Sequence, residues 1–262
     1  MAEHRSGATR RRSRDGSRDG ANGYPLDVSL EPSESSPAVV AALHRGSSRL
    51  NQAVYDQLKE RLLDGRYAAG ERISTEALRT EFGVSKQPVM EALRRLSGDG
   101  MIEILPQVGS RVATFTPREV SDFYVMFGGF EGTIAGIAAL RRTERQLDEL
   151  ENISAQIGAL RSSPDTVDRA HGYRVLNRRF HHAIHDMAHS RIMADTSLRM
   201  WDLSDFLINT SDVPQPFSAA LDDRHADHER ILAALHASDQ ETARAEMEKH
   251  IVGTVDVIRT GP

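Results

Sequence analysis

The sequence of 262 residues contains no cysteine, and its apolar residues form no uninterrupted run of the roughly 18 that a membrane-spanning helix needs. The missing cysteine excludes disulfides and thiolate metal sites, so imidazole, carboxylate or amide groups must hold any metal ion. The N-terminal region is rich in arginine and serine but has no apolar segment of the kind that a secretory signal requires. We therefore expect a cytoplasmic protein without a membrane partner.

The net charge of −5 is distributed unevenly along the chain. Residues 51–115 carry nine basic and nine acidic side chains, whereas residues 116–262 carry 16 basic and 23 acidic ones. Nine of the eleven histidines lie beyond residue 170. The last part of the chain is therefore expected to have a chemistry of its own.

Residues 1–48 are dominated by Arg, Ser, Gly, Asp and Pro, as in "RRRSRDGSRDGANGYP". They offer little apolar surface to offset the entropy lost on ordering, so this region is predicted to be a disordered arm. Its arginines could touch DNA phosphates, or the arm could be no more than a solvated tail.

Residues 49–115 show the pattern of a winged helix-turn-helix domain. A helix begins in "NQAVYDQLKERLLDG", and "ISTEALRTEF" follows as a short helix that Ser74 can cap. After the next helix come "MIEIL" and "SRVATF", two strand-like runs joined by "PQVG", in which Gly109 supplies the turn. Three helices followed by a hairpin in so short a segment indicate a DNA-binding domain of this class.

The stretch "GVSKQPVMEALRRLSGDG" is predicted to contain the helix that reads DNA. Ser85 is a good N-cap, and Pro88 falls in the first turn, where no intrahelical hydrogen bond is lost. Val89 opens the buried face, which leaves Lys86 and Gln87 exposed at the helix start, where base-edge contacts are made. We expect basic side chains to cluster on this face with the acids on the other: Arg79, Lys86, Arg94, Arg95 and Arg111.

Two plainer interpretations of this domain stay open on the residues alone. It could be a helical unit that only packs on the rest of the chain, or a former DNA-binding module that no longer binds. The equal numbers of basic and acidic residues between 51 and 115 give these alternatives some weight, because Lys and Arg drive phosphate binding.

Beyond Pro117 the strand signals nearly vanish, and the periodicity predicts an all-helical bundle. The fold class expected for the whole chain is therefore mainly α. About six helices can be drawn, at residues 118–141, 143–160, 166–188, 190–209, 217–236 and 239–258.

The histidines of this bundle suggest a metal site. Asn177 and His181 are four residues apart and share a helix face, while His228 and His250 belong to two later helices. Three helices of a bundle can aim four such donors at one point. Spacing alone is also compatible with a surface histidine cluster, because further histidines adjoin these positions: His182, His185, His189 and His225.

The first domain resembles the DNA-binding domain of GntR-type bacterial transcriptional regulators. The resemblance runs from "YDQLKERLLDG" to "PQVGSRV" and includes the core "GVS-x-x-PV-x-EALRRL-x-x-x-G". In that family Arg-Thr usually follows the serine, and an arginine stands where this chain has Met90. The resemblance implies binding of double-stranded operator DNA. The residues expected to contact it, from the resemblance and from the basic side chains described above, are Arg79, Ser85, Lys86, Gln87, Met90, Arg94, Gly109 and Arg111.

Residues 116–262 resemble the effector-binding and dimerisation domain of the FCD branch of these regulators, and the number of helices points to its VanR-like subgroup. By motif, the metal ligands of that domain correspond to Asn177, His181, His228 and His250, with asparagine in place of the usual aspartate. Zinc or nickel is the expected ion, because neutral imidazole suits these cations.

The resemblance also bears on the effector. Relatives usually carry an arginine where Phe127 stands, so a small carboxylate effector needs another anchor in this chain, and Arg174 is the candidate. The expected protein is a homodimeric, ligand-responsive repressor. Two other functions stay open: a metal-dependent hydrolase or lyase with Glu229 or Asp186 as base, and a bundle that senses the metal itself.

Overall fold

The computed structural model describes residues 47–211, 213 and 216–260, all of which belong to one compact unit. The predicted arm lies outside the described residues except for Ser47 and Ser48, which belong to the first described helix. The described chain is mainly helical, with a winged helix-turn-helix domain followed by a helical bundle, as the sequence predicts.

The N-terminal domain contains three helices and a small sheet. They are α1 (Ser47–Leu63), β1 (Arg72–Ile73), α2 (Thr75–Phe82), α3 (Lys86–Gly98), β2 (Ile102–Leu105) and β3 (Gly109–Val112). The strands are antiparallel in the order β1-β3-β2, and Arg111 of β3 lies between Arg72 and Glu103. Strand β1 was not predicted, because two residues are too few to show an alternating pattern.

Local signals fix the helix-turn-helix. The Ser74 side chain accepts a hydrogen bond from the amide of Ala77 and so caps α2, which ends at Gly83 in the left-handed conformation. Ser85 occupies the N-cap position of α3 as predicted, but its side chain makes no capping hydrogen bond. In the wing, Gln107 as well as Gly109 has a positive φ, so the turn is not made by glycine alone.

Seven α-helices follow in the described part of the chain, where six helices were predicted. They are α4 (Pro117–Arg141), α5 (Glu144–Ala159), α6 (Thr166–Met187), α7 (Arg191–Asn209), α8 (Pro216–His236), α9 (Gln240–Val252) and α10 (Thr254–Thr260). The predicted last helix is interrupted at Gly253. Arg224 donates to the His250 carbonyl (2.6 Å), the group that Thr254 would use in a continuous helix, so a long-range contact accompanies the break.

Helix α4 is long and apolar enough to cross a membrane by length and composition, but 56% of its most apolar window is buried inside the bundle. It packs closely on α9 through glycines spaced by one turn. A Cβ atom at Gly132 would lie 2.8 Å from the carbonyl oxygen of Arg244, and one at Gly128 would lie 2.9 Å from a methyl group of Val252. The absence of these side chains lets the two helices approach.

A group of ion pairs joins the winged helix domain to the bundle, and we call it the clasp. Asp202 of α7 pairs with both Lys59 of α1 and Arg178 of α6. Arg174 of α6 donates to Asp64, just beyond α1, at 2.9 Å. Arg178 also donates to Asp205 at 2.6 Å. These side chains place helices α6 and α7 in direct contact with the first helix of the DNA-binding domain.

Candidate metal centre and DNA-binding surface

Three histidines meet in the interior of the bundle. His181 of α6, His228 of α8 and His250 of α9 are each at most 1% exposed, and one ring nitrogen from each lies within 4.8 Å of the others. The ring centroids of His228 and His250 are 4.6 Å apart, and those of His181 and His250 are 5.3 Å apart. The structure thus brings together the three histidines that the sequence singled out, and we call them the three-histidine cluster.

The nitrogens of this cluster suit a cation. Among the described residues, neither ring nitrogen of His181 and neither of His228 has a hydrogen-bond partner, although burying an unpaired polar atom is costly. Burial lowers the pKa of all three imidazoles well below the ordinary value, and nearby positive groups such as Arg224 lower the pKa values further. Neutral imidazoles with free nitrogens are the form that binds zinc or nickel, so the donor set fits a divalent ion.

Asp227 orients one of these ligands. Its carboxylate lies 3.2 Å from Nδ1 of His250 and is held in turn by Arg224 at 3.3 Å. A carboxylate on one ring nitrogen fixes the ring and leaves the other nitrogen for a metal, which is the usual support of a metal-bound histidine. Sequence reasoning missed Asp227, although it immediately precedes His228 in "HADHERIL".

A second carboxylate, also missed, is buried beside the cluster. Glu131 of α4 is 1% exposed and lies 3.7 Å from Nδ1 of His181. It accepts hydrogen bonds from His185 (2.9 Å) and from the hydroxyl of Ser197. Glu131 therefore places a buried acidic group next to the imidazoles, beyond hydrogen-bond distance of His181.

Asn177 stands at the edge of the cluster. Its Oδ1 accepts a hydrogen bond of 3.0 Å from the hydroxyl of Tyr173, whose ring stacks on His228 at 6.2 Å. The amide oxygen is therefore engaged by a neighbour in this arrangement. An amide oxygen is also a neutral donor, so Asn177 is the weakest of the four predicted ligands.

One side of the cluster is apolar. Phe127, which stands where relatives have an arginine, is fully buried and packs edge-on against Trp201 at 5.2 Å. Trp201 in turn lies 4.4 Å from the ring of His181. The single tryptophan of the chain is thus in contact with a candidate metal ligand.

Arg174 does not lie with the three histidines. Its guanidinium pairs with Asp64 in the clasp and lines a groove on the outer side of α6. The bases considered for a hydrolase are also elsewhere: Glu229 is exposed and accepts from Ser154, and Asp186 lies in the same outer groove as Arg174.

The predicted DNA-reading residues lie at the start of α3. Ser85, Lys86 and Gln87 are exposed, and within the described part of the chain Lys86 and Gln87 have no side-chain partner. Met90 is half-buried, and its sulfur lies 3.9 Å from the hydroxyl of Thr75 in α2. The first two side chains of α3 are therefore free for base contacts, whereas Met90 packs between the helices.

The expected separation of basic and acidic side chains was wrong. Three of the basic residues pair with acids on the same surface: Arg79 with Glu76 (2.6 Å), Arg94 with Glu91 (3.5 Å) and Arg111 with Glu103 (2.6 Å). Arg95 instead stacks on Tyr55 of α1, 3.7 Å from the ring centroid, and donates to Gln52 of the same helix. The pairs form because the acids lie three residues before the arginines in α2 and α3, and opposite Arg111 in the sheet.

Comparison with known proteins identifies the family. Residues 50–112 match the bacterial regulatory proteins of the gntR family, and residues 122–253, about half of the chain, match the FCD domain. The chain belongs to the GntR family. The family and the fold class predicted from the sequence are thereby confirmed, and members of this family are transcriptional regulators, so the hydrolase alternative is set aside.

Relatives of this GntR-family chain include repressors. It is 27% identical over 153 residues to the regulator YdhC of Bacillus subtilis, covering 58% of this chain and 66% of YdhC. It is 23% identical over 211 residues to the repressor GlaR of Escherichia coli, covering 78% of this chain and 94% of GlaR. A probable D-xylose utilization operon repressor of Paenarthrobacter nicotinovorans is 25% identical, with 76% and 84% covered.

Solved structures show the same fold. McbR/YncC of E. coli superposes with a TM-score of 0.64 at 20% identity, covering 79% of this chain and 96% of that protein. A GntR regulator from Rhodococcus sp. RHA1 gives a TM-score of 0.62 at 18% identity, with 79% and 96% covered.

GntR-family regulators bind operator DNA and, through the FCD domain, a small-molecule effector. FCD domains commonly bind a metal ion.

Proposed function

We propose that this protein is a cytoplasmic, homodimeric repressor whose operator binding is controlled by a small carboxylate bound near a metal ion in the helical domain. The observation that carries the proposal is the three-histidine cluster, four of whose ring nitrogens are buried without a partner among the described residues, in a bundle that follows a winged helix. Two of the relatives are named as repressors, which supports repression as the function of this protein.

Lys86 and Gln87 are proposed to read the operator. They are exposed on the first turn of α3, where side chains reach base edges in the major groove. Replacing both by alanine should remove about 2–4 kcal/mol of operator preference, since a good base contact contributes about 1–2. Arg145→Ala, which removes one exposed positive charge from α5, is the matched control and should leave the preference unchanged. Unaltered footprints of the double variant would reject this role.

Each of three arginines must exchange its present carboxylate partner if it is to contact phosphate: Arg79, Arg94 and Arg111. Each partner is a carboxylate on the protein surface, and such pairs contribute about 0–1 kcal/mol. Phosphate oxygens can therefore replace the carboxylates at small cost. Ser85 and Gly109, on the helix start and the wing, are proposed to contact DNA through their backbone amides.

Three imidazoles are proposed to hold one zinc or nickel ion, with Asn177 as a weak fourth donor. A bound divalent ion supplies a Lewis-acidic positive charge to which a carboxylate effector can bind. The protein contributes the apolar wall of Phe127 and Trp201, which excludes water from one side, and the Asp227 carboxylate, which orients His250.

Nickel provides the direct test of this site, because a paramagnetic ion quenches a nearby indole and the chain has one tryptophan, in contact with His181. Titration of chelator-treated protein should quench Trp201 with an endpoint of about one equivalent. His228→Ala should abolish the quenching, and His171→Ala, an exposed histidine of α6, should not. Metal content below about 0.1 equivalent by elemental analysis, with no rise after incubation in nickel or zinc, would leave these histidines as packing residues.

The clasp connects this site to the DNA-binding domain. Arg178 lies one turn before His181 on α6, and Asp202 follows Trp201 on α7, so both sides of the clasp are carried by helices that line the cluster. A regulator of this kind has one arrangement of the winged helix that binds the operator and another that does not. A ligand at the cluster changes operator affinity only if the ligand binds more tightly to one of these two positions of the winged helix than to the other. We propose that the clasp differs between those two positions.

The dimer is proposed to form through the exposed apolar side of α4. Val125, Met126 and Leu140 are 60%, 59% and 62% exposed, and Ile192 of α7 is 81% exposed. Arg141 donates to the carbonyl of Ala188 at 2.8 Å, which places the end of α4 beside the short connection between α6 and α7. Met126→Glu should dissociate the protein to monomers in sedimentation experiments. A wild-type monomer at micromolar concentration, free and on DNA, would exclude the dimer.

A further inference from the structure

A groove of about 430 Å³ runs along the outer side of α6, between this helix and α5. It is separate from the three-histidine cluster, since His181 is fully buried on the inner side of α6, whereas its neighbour His182 lines the groove. The volume falls in the range of small-molecule sites, about 300–1,000 Å³. None of the metal ligands proposed above lines it.

The groove offers hydrogen-bonding groups that are not fully used. Arg179 is exposed and, among the described residues, has no ion pair or hydrogen bond. Arg174 donates one terminal nitrogen to Asp64, which leaves its other donors free. Nε2 of His182 is buried and has no partner within the described part of the chain. By contrast, both terminal nitrogens of Arg178 are taken by Asp202 and Asp205.

The remaining lining defines the class of ligand. Ile153, Val175 and Ala183 give the groove an apolar part that suits a hydrocarbon body. Glu149 and Asp186 also line it, and their charges would repel a multiply charged anion such as a phosphate ester. A guanidinium group binds a carboxylate through two parallel hydrogen bonds. A singly charged carboxylate with an apolar body matches these features.

We propose that this groove is a binding site for a small organic monocarboxylate, held by Arg179 and Arg174 with a further hydrogen bond to His182. The proposal goes beyond the metal-linked effector site, because it requires neither the three histidines nor an ion. Such a ligand shares Arg174 with Asp64, so it contacts the clasp directly.

The test uses the full-length protein stripped of metal by chelator, with benzoate, phenylacetate and hexanoate as probes and their neutral amides as counterparts. Calorimetry or ligand-observed NMR should show at least one carboxylate binding about tenfold or more tightly than its amide, because the amide lacks the charge. If no probe binds more tightly than about 10 mM, or if the amides bind equally well, the proposal is wrong.

Variants then locate the bound probe. Arg179→Gln should weaken carboxylate binding about fivefold or more, whereas Asp186→Asn should strengthen it by removing a repulsive charge. Arg199→Gln, an exposed arginine of α7 outside the groove, is the matched control and should have no effect. His228→Ala should also leave binding unchanged. Loss of binding in His228→Ala together with normal binding in Arg179→Gln would place the probe at the three-histidine cluster and overturn the proposal.

Discussion

The substitution Gly132→Ala should push α9 away from α4 and loosen the three-histidine cluster. The new Cβ would lie 2.8 Å from the Arg244 carbonyl oxygen, and ordinary contact begins near 3.4 Å, so α9 must move outward by about 0.6 Å. Alanine gains about 1 kcal/mol of helix propensity over glycine, and overpacking costs about 1–3 kcal/mol. We expect the free energy of unfolding to fall by about 0–2 kcal/mol.

Gly129→Ala on the same helix is the matched control. Its Cβ would meet nothing within 4 Å among the described residues, so only the gain of about 1 kcal/mol in helix propensity applies. Denaturant unfolding of both variants isolates the packing cost as the difference between them, about 1–3 kcal/mol. Gly132→Ala should also weaken metal binding, because α9 carries His250 and metal–ligand distances tolerate only about 0.2 Å. Equal stability of the two variants would refute the close approach of α4 and α9.

Three further predictions concern single carboxylates or amides. Asn177→Asp should tighten nickel or zinc binding about tenfold, measured by competition with a chelator, because a charged oxygen replaces a neutral one. Asp202→Asn should lower the free energy of unfolding by about 1–2 kcal/mol, and a double-mutant cycle with Lys59→Met should show coupling of the two positions. Burial raises the pKa of Asp205 to about 6. The folded protein therefore holds this proton more tightly than the unfolded chain does, and the resulting stability is complete below the unfolded-state pKa of the carboxyl group. This contribution is lost as the pH rises through 6. In Asp205→Asn this pH-dependent loss of stability is absent. The free energy of unfolding of the variant, relative to that of the wild type, should therefore rise by about 1 kcal/mol between pH 5 and pH 7. A difference between the two proteins that stays constant over this pH range would contradict the raised pKa.

The parts of the fold that depend on residues close together in the sequence were predictable. The start of α3, with Ser85 in the N-cap position and Lys86 and Gln87 exposed, follows from helix periodicity and capping. The three histidines were predictable as candidates, because they occur in three helical segments. Their convergence was not, since spacing along the chain does not determine how helices dock, and the resemblance to a known domain was needed to select them.

Features that depend on distant contacts were missed. The break at Gly253 accompanies a hydrogen bond from Arg224, which is 26 residues away from its acceptor in the chain. Strand β1 exists because β3 pairs with it. The ion pair between Arg174 of α6 and Asp64 of the other domain was not predicted, because the two residues are 110 positions apart in the chain. No sequence pattern within α6 reveals that partner.

The clasp also sets a condition for exchanging domains between regulators. A winged helix taken from a relative would bring its own residues to the places of Lys59 and Asp64, and would leave Asp202 and Arg174 with charges that lack their partners across the junction. A hybrid that keeps this helical domain should therefore retain lysine and aspartate at these two positions, whatever operator its new α3 reads. If only the recognition helix α3 is grafted and the native α1 and Asp64 are kept, that condition is met without further changes.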